Sequence, residues 1–384
     1  MPMSRRNLLL AAGGCLGLVV TGGVWRVLRL PATAAQPWTP DPQPPADVRL
    51  DAFRHAILAP NPHNRQPWRI RLLDQDAAIV TCDLDRRLPE TDPFDRQITI
   101  GFGAFLELMT LAAAARGVRA DVALFPDGEP QPRLDARPIA HVRFVRDPAQ
   151  KPDPLFVLVL SRRSNKEPYD MARPVAPEAL AAFAAHDRPG LRFGGAVEPA
   201  AVATLQALAS EAFHIETKTA RTMKESADLL RVGAGEIDAN PDGIALKGPL
   251  FEALSLLGAD DVRAQAMDVE SRAFKSTLAR YDATFAATPA FLWLTTEANT
   301  RRDQIAAGRA YVRANLDATA RGLALAPVSQ ALEEFPEMAE PYARVHRLLG
   351  AKGGECVQML VRLGYGPPVG PSARWPLQAK IATA

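Results

Sequence analysis

An α+β fold assembled from two related halves is what this chain predicts, and three observations lead there. Short strand-like segments alternate with longer stretches of helical spacing. A similar helix recurs in each half and ends in the same Arg-Gly step. The composition, 47% hydrophobic against 23% charged over 384 residues, is that of a packed globular protein able to bury a large core.

In chain order, the first half opens with apolar residues at helical spacing (Val48, Phe53, Ile57, Leu58) that stop at Pro60. The polar turn Asn61-Pro62-His63-Asn64-Arg65-Gln66-Pro67-Trp68 suits neither a regular helix nor a central strand. Ile70-Arg71-Leu72 and Ala78-Ile79-Val80 flank Asp74-Gln75-Asp76 and read as a hairpin. Residues 103–117 form an alanine-rich helix closed by glycine, with strands expected over 121–125 and 141–145. The second half, from about 151, begins with the apolar run 155–160. Helices follow over 177–185 and 199–230, a glycine-rich irregular stretch over 231–262, a short buried strand at 291–294 and a helix over 305–321 ending at Gly322.

Superposing that last helix on the earlier one with a shift of 205 residues pairs Gly103 with Gly308. Six of sixteen positions are then identical: Gly103/Gly308, Leu111/Leu316, Ala113/Ala318, Ala115/Ala320, Arg116/Arg321 and Gly117/Gly322. The shared Arg-Gly ending and the strand-like continuation mark a duplication.

The N-terminus carries Ser4-Arg5-Arg6-Asn7-Leu8-Leu9 before an uncharged, glycine-containing run over residues 8–24. This resembles a twin-arginine export signal over residues 1–35, with Ala32-Thr33-Ala34 as a small-residue cleavage site and an uncleaved membrane anchor as the alternative. Residues 31–46 hold six prolines and are expected to be a tether, with the linker proper at 36–46.

The net charge of +2 and the lack of a basic stripe interleaved with aromatics argue against a nucleic-acid partner. Of three cysteines, Cys15 lies in the leader, and Cys82 and Cys356 leave room for one disulfide but no framework. No pair of histidines has the spacing of a zinc helix, so metal chemistry is not expected.

Three segments point to a cofactor. Ser161-Arg162-Arg163-Ser164-Asn165-Lys166 gathers three cations and two hydroxyls, the donor types that bind phosphate. The Asn61–Trp68 turn offers amides and an imidazole on a rigid loop. Ser372-Ala373-Arg374-Trp375-Pro376-Leu377 adds a late cation. Taken singly, each also fits ordinary solvated surface or structural loop.

Together they resemble the nitroreductase family, whose members carry a Pro-Ser-x-x-Asn-x-Gln-Pro-Trp turn, an Arg-Arg-Ser-x-Arg/Lys segment, a Gly-x-Ala-x-x-Asn-x-x-Leu-Ala-Ala helix and a C-terminal Arg before Pro-Leu. Residues 60–68, 162–166, 308–323 and 374–377 match these in turn. The resemblance covers residues 47–380 and is nearest to the Acg-like subgroup, in which two halves are fused. It implies a nitroreductase-like fold, halves at 47–150 and 151–384, an intramolecular pseudo-dimer in a monomer, and a lid-like or packed insertion at 205–262. The first half keeps the turn but reads VRLDAFRHAIL where Arg-Arg-Ser would stand, and the second keeps Arg-Arg-Ser without the turn. Each half retains what the other lost, so one competent site is expected.

By that resemblance, FMN is the cofactor. Arg162, Ser164 and Arg374 hold its phosphate, Arg163 is a further cofactor-binding residue, and Lys166 lies near its N1 and O2. Asn61, His63, Asn64 and Gln66 contact the ribityl chain and ring edge, and Pro327, Val328 and Ser329 form the loop beside N5. Asn61 stands where serine is commoner, which leaves its contact open. No side-chain catalyst is implied. The resemblance implies two-electron transfer from a small donor to an acceptor such as a nitroaromatic or quinone. The export signal implies the twin-arginine machinery as a partner and a periplasmic or envelope location. Scarcity of NAD(P)H outside the cytoplasm makes an FMN-sequestering protein the alternative.

Overall fold

The computed structural model describes residues 31–382, so the twin-arginine string and Cys15 lie outside the described residues. The first half comprises helix α1 (Val48–Ala56), strands β1 (Trp68–Leu73) and β2 (Ala77–Cys82), helix α2 (Arg96–Ala114), and strands β3 (Val118–Leu124) and β4 (Ala140–Arg146). The second half has the short helix α3 (Pro177–Ala181) and strand β5 (Leu191–Ala196). Helices α4 (Pro199–Lys218) and α5 (Ala220–Asp228), strand β6 (Leu230–Val232), helix α6 (Gly233–Ala239) and strand β7 (Ile244–Leu246) follow. Next come helices α7 (Pro249–Leu257), α8 (Ala259–Met267) and α9 (Arg272–Ala286). Strand β8 (Ala290–Thr296), helix α10 (Arg301–Ala320), strand β9 (Ala324–Pro327), helix α11 (Ala339–Leu348) and strand β10 (Cys356–Gly364) complete it.

The two four-stranded sheets run in the orders β1-β2-β4-β3 and β5-β8-β10-β9. Matching them strand for strand pairs β1 with β5, β2 with β8, β4 with β10 and β3 with β9. All contacts between neighbours are antiparallel in both sheets. The duplication read from the helices thus extends to the sheets. Its centre is the packing of α2 on α10, where the paired glycines meet. A Cβ on Gly103 would lie 2.9 Å from the Gly308 Cα and 2.2 Å from the Ile305 carbonyl oxygen. One on Gly308 would lie 1.9 Å from the Ile100 carbonyl oxygen. Only glycine lets the two backbones approach this closely. Helix α2 is predominantly apolar and almost wholly buried, as befits a helix enclosed on nearly every side. It is the one described helix with the length and composition of a membrane span, and its burial makes it core.

The halves differ at one connection. Residues 74–76 turn β1 into β2, whereas α4 to α9, residues 199–286, separate β5 from β8. The insertion is therefore longer than the expected 205–262. The stretch 231–262 is mostly helical rather than irregular: Gly233, Gly248 and Gly258 sit at joints between short elements with φ of 78°, 105° and 134°. The insertion also covers a second face of the β5-β8-β10-β9 sheet, with Phe213 and Phe285 packed in one cluster with Phe291 and Leu360. The opposite face packs Phe183, Leu292, Leu294 and Tyr311. Strand β10, covered on both sides, is buried almost without interruption and lacks the alternation that would have announced it. Cys82 and Cys356 are buried free thiols.

Residues 31–46 are not merely a tether. Residues 36–38 form a helical turn, Ala34 and Trp38 are buried, and Trp38 belongs to the first half's core. The chain's end is likewise built in: Ile381 bridges Ile70 of β1, and Ala382 N–H donates to the Ile70 carbonyl at 2.7 Å. This return of the second half onto the first carries Arg374 to the Asn61–Trp68 turn.

Candidate functional site

The turn after α1 is held under strain. His63, Asn64 and Gln66 have φ of 45°, 52° and 50°, the left-handed region that side chains disfavour. Asn61 closes it, its side-chain oxygen accepting from Gln66 N–H at 2.7 Å while its amide donates to the Ala59 carbonyl at 3.0 Å. Asparagine at this position therefore serves the turn itself. Gln66 is fully buried. Its amide donates to the Pro241 carbonyl at 2.7 Å and its side-chain oxygen accepts from Trp375 N–H at 3.0 Å. With both ends engaged, Gln66 braces the turn. Asn64 Nδ2 donates to the Ala373 carbonyl at 2.9 Å.

Three arginines converge beside this turn. Arg374, buried, donates from Nη1 to Asn64 Oδ1 at 2.5 Å and from Nη2 to the carbonyls of Leu58 and Ala59 at 3.1 Å each. Arg162, 2% exposed, donates from Nη2 to the same Leu58 carbonyl at 2.9 Å. Arg163 is half-buried and donates to the carbonyls of Leu160 and Arg162. Arg162 Nε and Nη1 and Arg374 Nε are buried without an acceptor. Burial, with repulsion from Arg162 and Arg163, pushes Arg374 down to about 9. Burial pushes Arg162 down to about 10, with Arg163 adding to the effect against an opposing contribution from Tyr311. Buried guanidinium groups with spare N–H donors and no carboxylate among their hydrogen-bond partners make a receptor for an anion. Ser164, from the same segment, lies near the buried Tyr311 hydroxyl.

Lys166 is exposed and acts electrostatically on His63 and Glu216. Burial first, then Lys166 and Arg65, push His63 down to about 4, so its ring is neutral at neutral pH. Its Nε2 lies 3.0 Å from Ser226 Oγ of the insertion. Asp242, also of the insertion, pairs with Arg65, Arg86 and Arg231 at 3.2, 2.6 and 2.9 Å. Glu225 accepts from Glu90 N–H and from Thr91. The insertion thus docks over the turn through named polar contacts.

Pro327 pairs with Val361, and Val328 N–H donates to the Leu360 carbonyl at 2.8 Å with its side chain buried. The Val328 amide is thus used in the sheet. Ser329 follows at the start of a short helical turn.

Sequence reasoning missed several groups. Trp38 lies under the arginines, and an isolated tryptophan in a proline-rich stretch was the available signal. Lys380 donates to the Gln66 carbonyl at 2.7 Å and is pushed down to about 7, mainly by burial. A buried carboxylate group, Asp92, Glu216 and Glu333, gathers from three distant segments and had no local signal.

No family model matches the chain. "Putative NAD(P)H nitroreductase Rv3131" of Mycobacterium tuberculosis (strain ATCC 25618 / H37Rv) is 27% identical over 340 residues, covering 86% of this chain and 90% of that protein. "Putative NAD(P)H nitroreductase acg" of the same strain is 40% identical over 88 residues, 23% of this chain and 26% of that one. Among solved structures, the FMN-dependent nitroreductase NfnB from Mycobacterium smegmatis in complex with NADPH aligns at 17% identity over 58% of this chain and 95% of its own, with a TM-score of 0.35. The chain therefore has homologues that carry the nitroreductase name, Acg among them, in agreement with the resemblance its motifs carry.

Proposed function

We propose that this chain is an FMN-binding oxidoreductase of the nitroreductase type, with one site per chain built as an intramolecular pseudo-dimer from both halves. One observation carries the reading: Arg162 and Arg374, from the second half, meet at the Leu58 carbonyl of the first half, just before its turn, and both keep further buried N–H donors that have no acceptor. They fit a phosphate monoester, whose oxygens accept the charge-assisted hydrogen bonds these groups lack. Bound there, FMN would supply two-electron transfer through N5 between a small donor, such as NAD(P)H, and a nitroaromatic or quinone.

The protein's own part is binding and orientation. Arg162, Arg163, Ser164 and Arg374 anchor the phosphate, while the strained turn presents His63 and Asn64 toward the ribityl chain. Lys166 supplies the cation for the N1–O2 edge, where it favours the reduced, anionic ring. The neutral His63 adds no second positive charge beside that cation. Export by the twin-arginine route to the periplasm or envelope belongs to the same proposal, since that route carries proteins already folded around a cofactor.

A second reading, an FMN-sequestering protein, is favoured by the insertion's docked position, with Ser226 on His63 and Pro241 on Gln66. Purified protein separates the two. A yellow flavin spectrum is expected, and anaerobic bleaching by NAD(P)H or a quinol would establish the reductase. A yellow protein bleached by no donor would support sequestration, and a colourless protein that takes up no added FMN would refute both.

A further inference from the structure

We infer that Trp38 is a positioning residue of the anion site, setting the guanidinium planes of Arg162, Arg163 and Arg374 to receive a phosphate ester. The inference rests on the reading of that site as the FMN phosphate cradle.

All three cations lie over one indole, with guanidinium carbons 5.6, 4.8 and 5.4 Å from the ring centroid. Trp38 is 6% exposed, and its indole N–H donates to the Ser372 carbonyl at 2.8 Å. Ser372 Oγ accepts in turn from Arg374 Nη1 at 2.8 Å, and Arg374 N–H donates to the Ala34 carbonyl at 2.9 Å. The segment before Trp38 is anchored at its other end by Asp238 of the insertion, which accepts from the backbone N–H groups of Ala32, Thr33 and Ala34 and from the Thr33 hydroxyl. Residues 32–38 therefore form a strap from the insertion to the Arg374 loop, with the indole at its inner end.

Three guanidinium groups at such close quarters repel one another. A carboxylate in the place of Trp38 would relieve this but would take up the N–H donors and shut the site to anions. The face of an indole attracts cations through its quadrupole and accepts no strong hydrogen bond. It steadies the arginines while leaving Arg162 Nε and Nη1 and Arg374 Nε for the ligand. Trp38 thus performs what an acidic residue would do in an ordinary buried cluster, without competing for the phosphate.

Because Trp38 acts at the phosphate, its removal should weaken FMN more than riboflavin, which has the same ring and ribityl chain but no phosphate. The test measures the dissociation constants of both flavins by fluorescence titration on the full chain, with thermal melts to verify folding. Trp38→Leu keeps apolar bulk without the quadrupole and Trp38→Phe keeps a ring. In Trp38→Leu the preference for FMN over riboflavin should fall about tenfold, and in Trp38→Phe it should stay within about threefold of the original. A folded Trp38→Leu protein with the original preference overturns the role of Trp38 while leaving the cradle intact. An unaltered protein that binds the two flavins equally overturns the cradle, and this inference with it.

Discussion

Replacing Arg162 by methionine should move stability and cofactor affinity in opposite directions. In the folded protein Arg162 is held down at about 10 against an ordinary 12.5, mainly by burial. At ~1.4 kcal/mol per tenfold change, this is about 3 kcal/mol of unfavourable charging in the flavin-free protein. The sign follows from the direction: the cost is fully present below the folded value, hence at neutral pH, and fades as pH climbs from about 10 toward 12.5. Methionine of similar length removes that cost. It loses one hydrogen bond to the Leu58 carbonyl, worth about 1 kcal/mol, and one cation–π contact with Trp38 of about 1 kcal/mol. The Leu58 carbonyl keeps Arg374 as a donor and is not orphaned. The balance is about 1 kcal/mol of added stability, a rise in Tm of about 1–4 °C. FMN, by contrast, loses two charge-assisted donors worth about 1.5–3 kcal/mol each, a 10²–10⁴-fold weakening to order of magnitude. Thermal melts with and without FMN measure both quantities at once, and adding Arg374→Ala should abolish flavin retention. If Arg162→Met lowers the Tm of the flavin-free protein by several degrees while the FMN-induced rise persists unchanged, Arg162 is a structural residue and the phosphate assignment is wrong.

Glu216 is pushed up to about 7 by burial, with Glu225 adding to the effect against Gln330 and Lys166, and Glu333 is raised by its own burial and by Glu216. Stability from the protonated Glu216 is full below about 4.5 and is lost as pH rises through about 7. Tm should therefore fall over that interval and fall less in Glu216→Gln; superimposable pH–Tm curves would refute this. The flattening should be incomplete, because burial also raises Asp92 to about 6. Gly308→Ala should destabilise the fold by about 4 kcal/mol or more, since its Cβ would lie 1.9 Å from a backbone oxygen of α2. Wild-type solubility and melting in that variant would show that the crossing can relax.

How far the fold was legible depended on whether a signal was local. Helices α2 and α10 announced themselves because an Arg-Gly ending and helical spacing are contained in their own sequences. The β1–β2 hairpin was readable from Asp74-Gln75-Asp76 for the same reason. Strand β5 was not, because Gly194 and Gly195 weaken strand patterning. Their absent side chains leave room for Trp293 and Leu180, a reason that lies elsewhere in the chain. Strand β10 was hidden by double-sided burial, with Arg362 inside it donating to Thr288 and to the Glu167 carbonyl. At the site, Arg162, Asn64 and Arg374 were legible as residue types in motifs, and their convergence followed from complementary losses in the two halves. The bonds of Gln66 to Pro241 and of Val328 to Leu360 were not readable, because sequence does not say which donor a distant carbonyl takes. The hydrogen bonds of Trp38 to Ser372, Ala34 to Asp238 and Arg86 to Asp242 join residues more than 150 apart, and nothing near them in the chain foretold those pairings.

The close crossing of α2 on α10 joins two parts of one polypeptide. Two separate subunits meeting across such a surface would come apart on dilution, and a site shared between them would come apart too. Here covalent linkage fixes the local concentration of one half around the other. On the proposed reading, the integrity of the shared site then does not depend on how scarce the protein is. A substitution on one side of the crossing also has no mirror image on the other, so the two walls of the cradle were free to specialise separately.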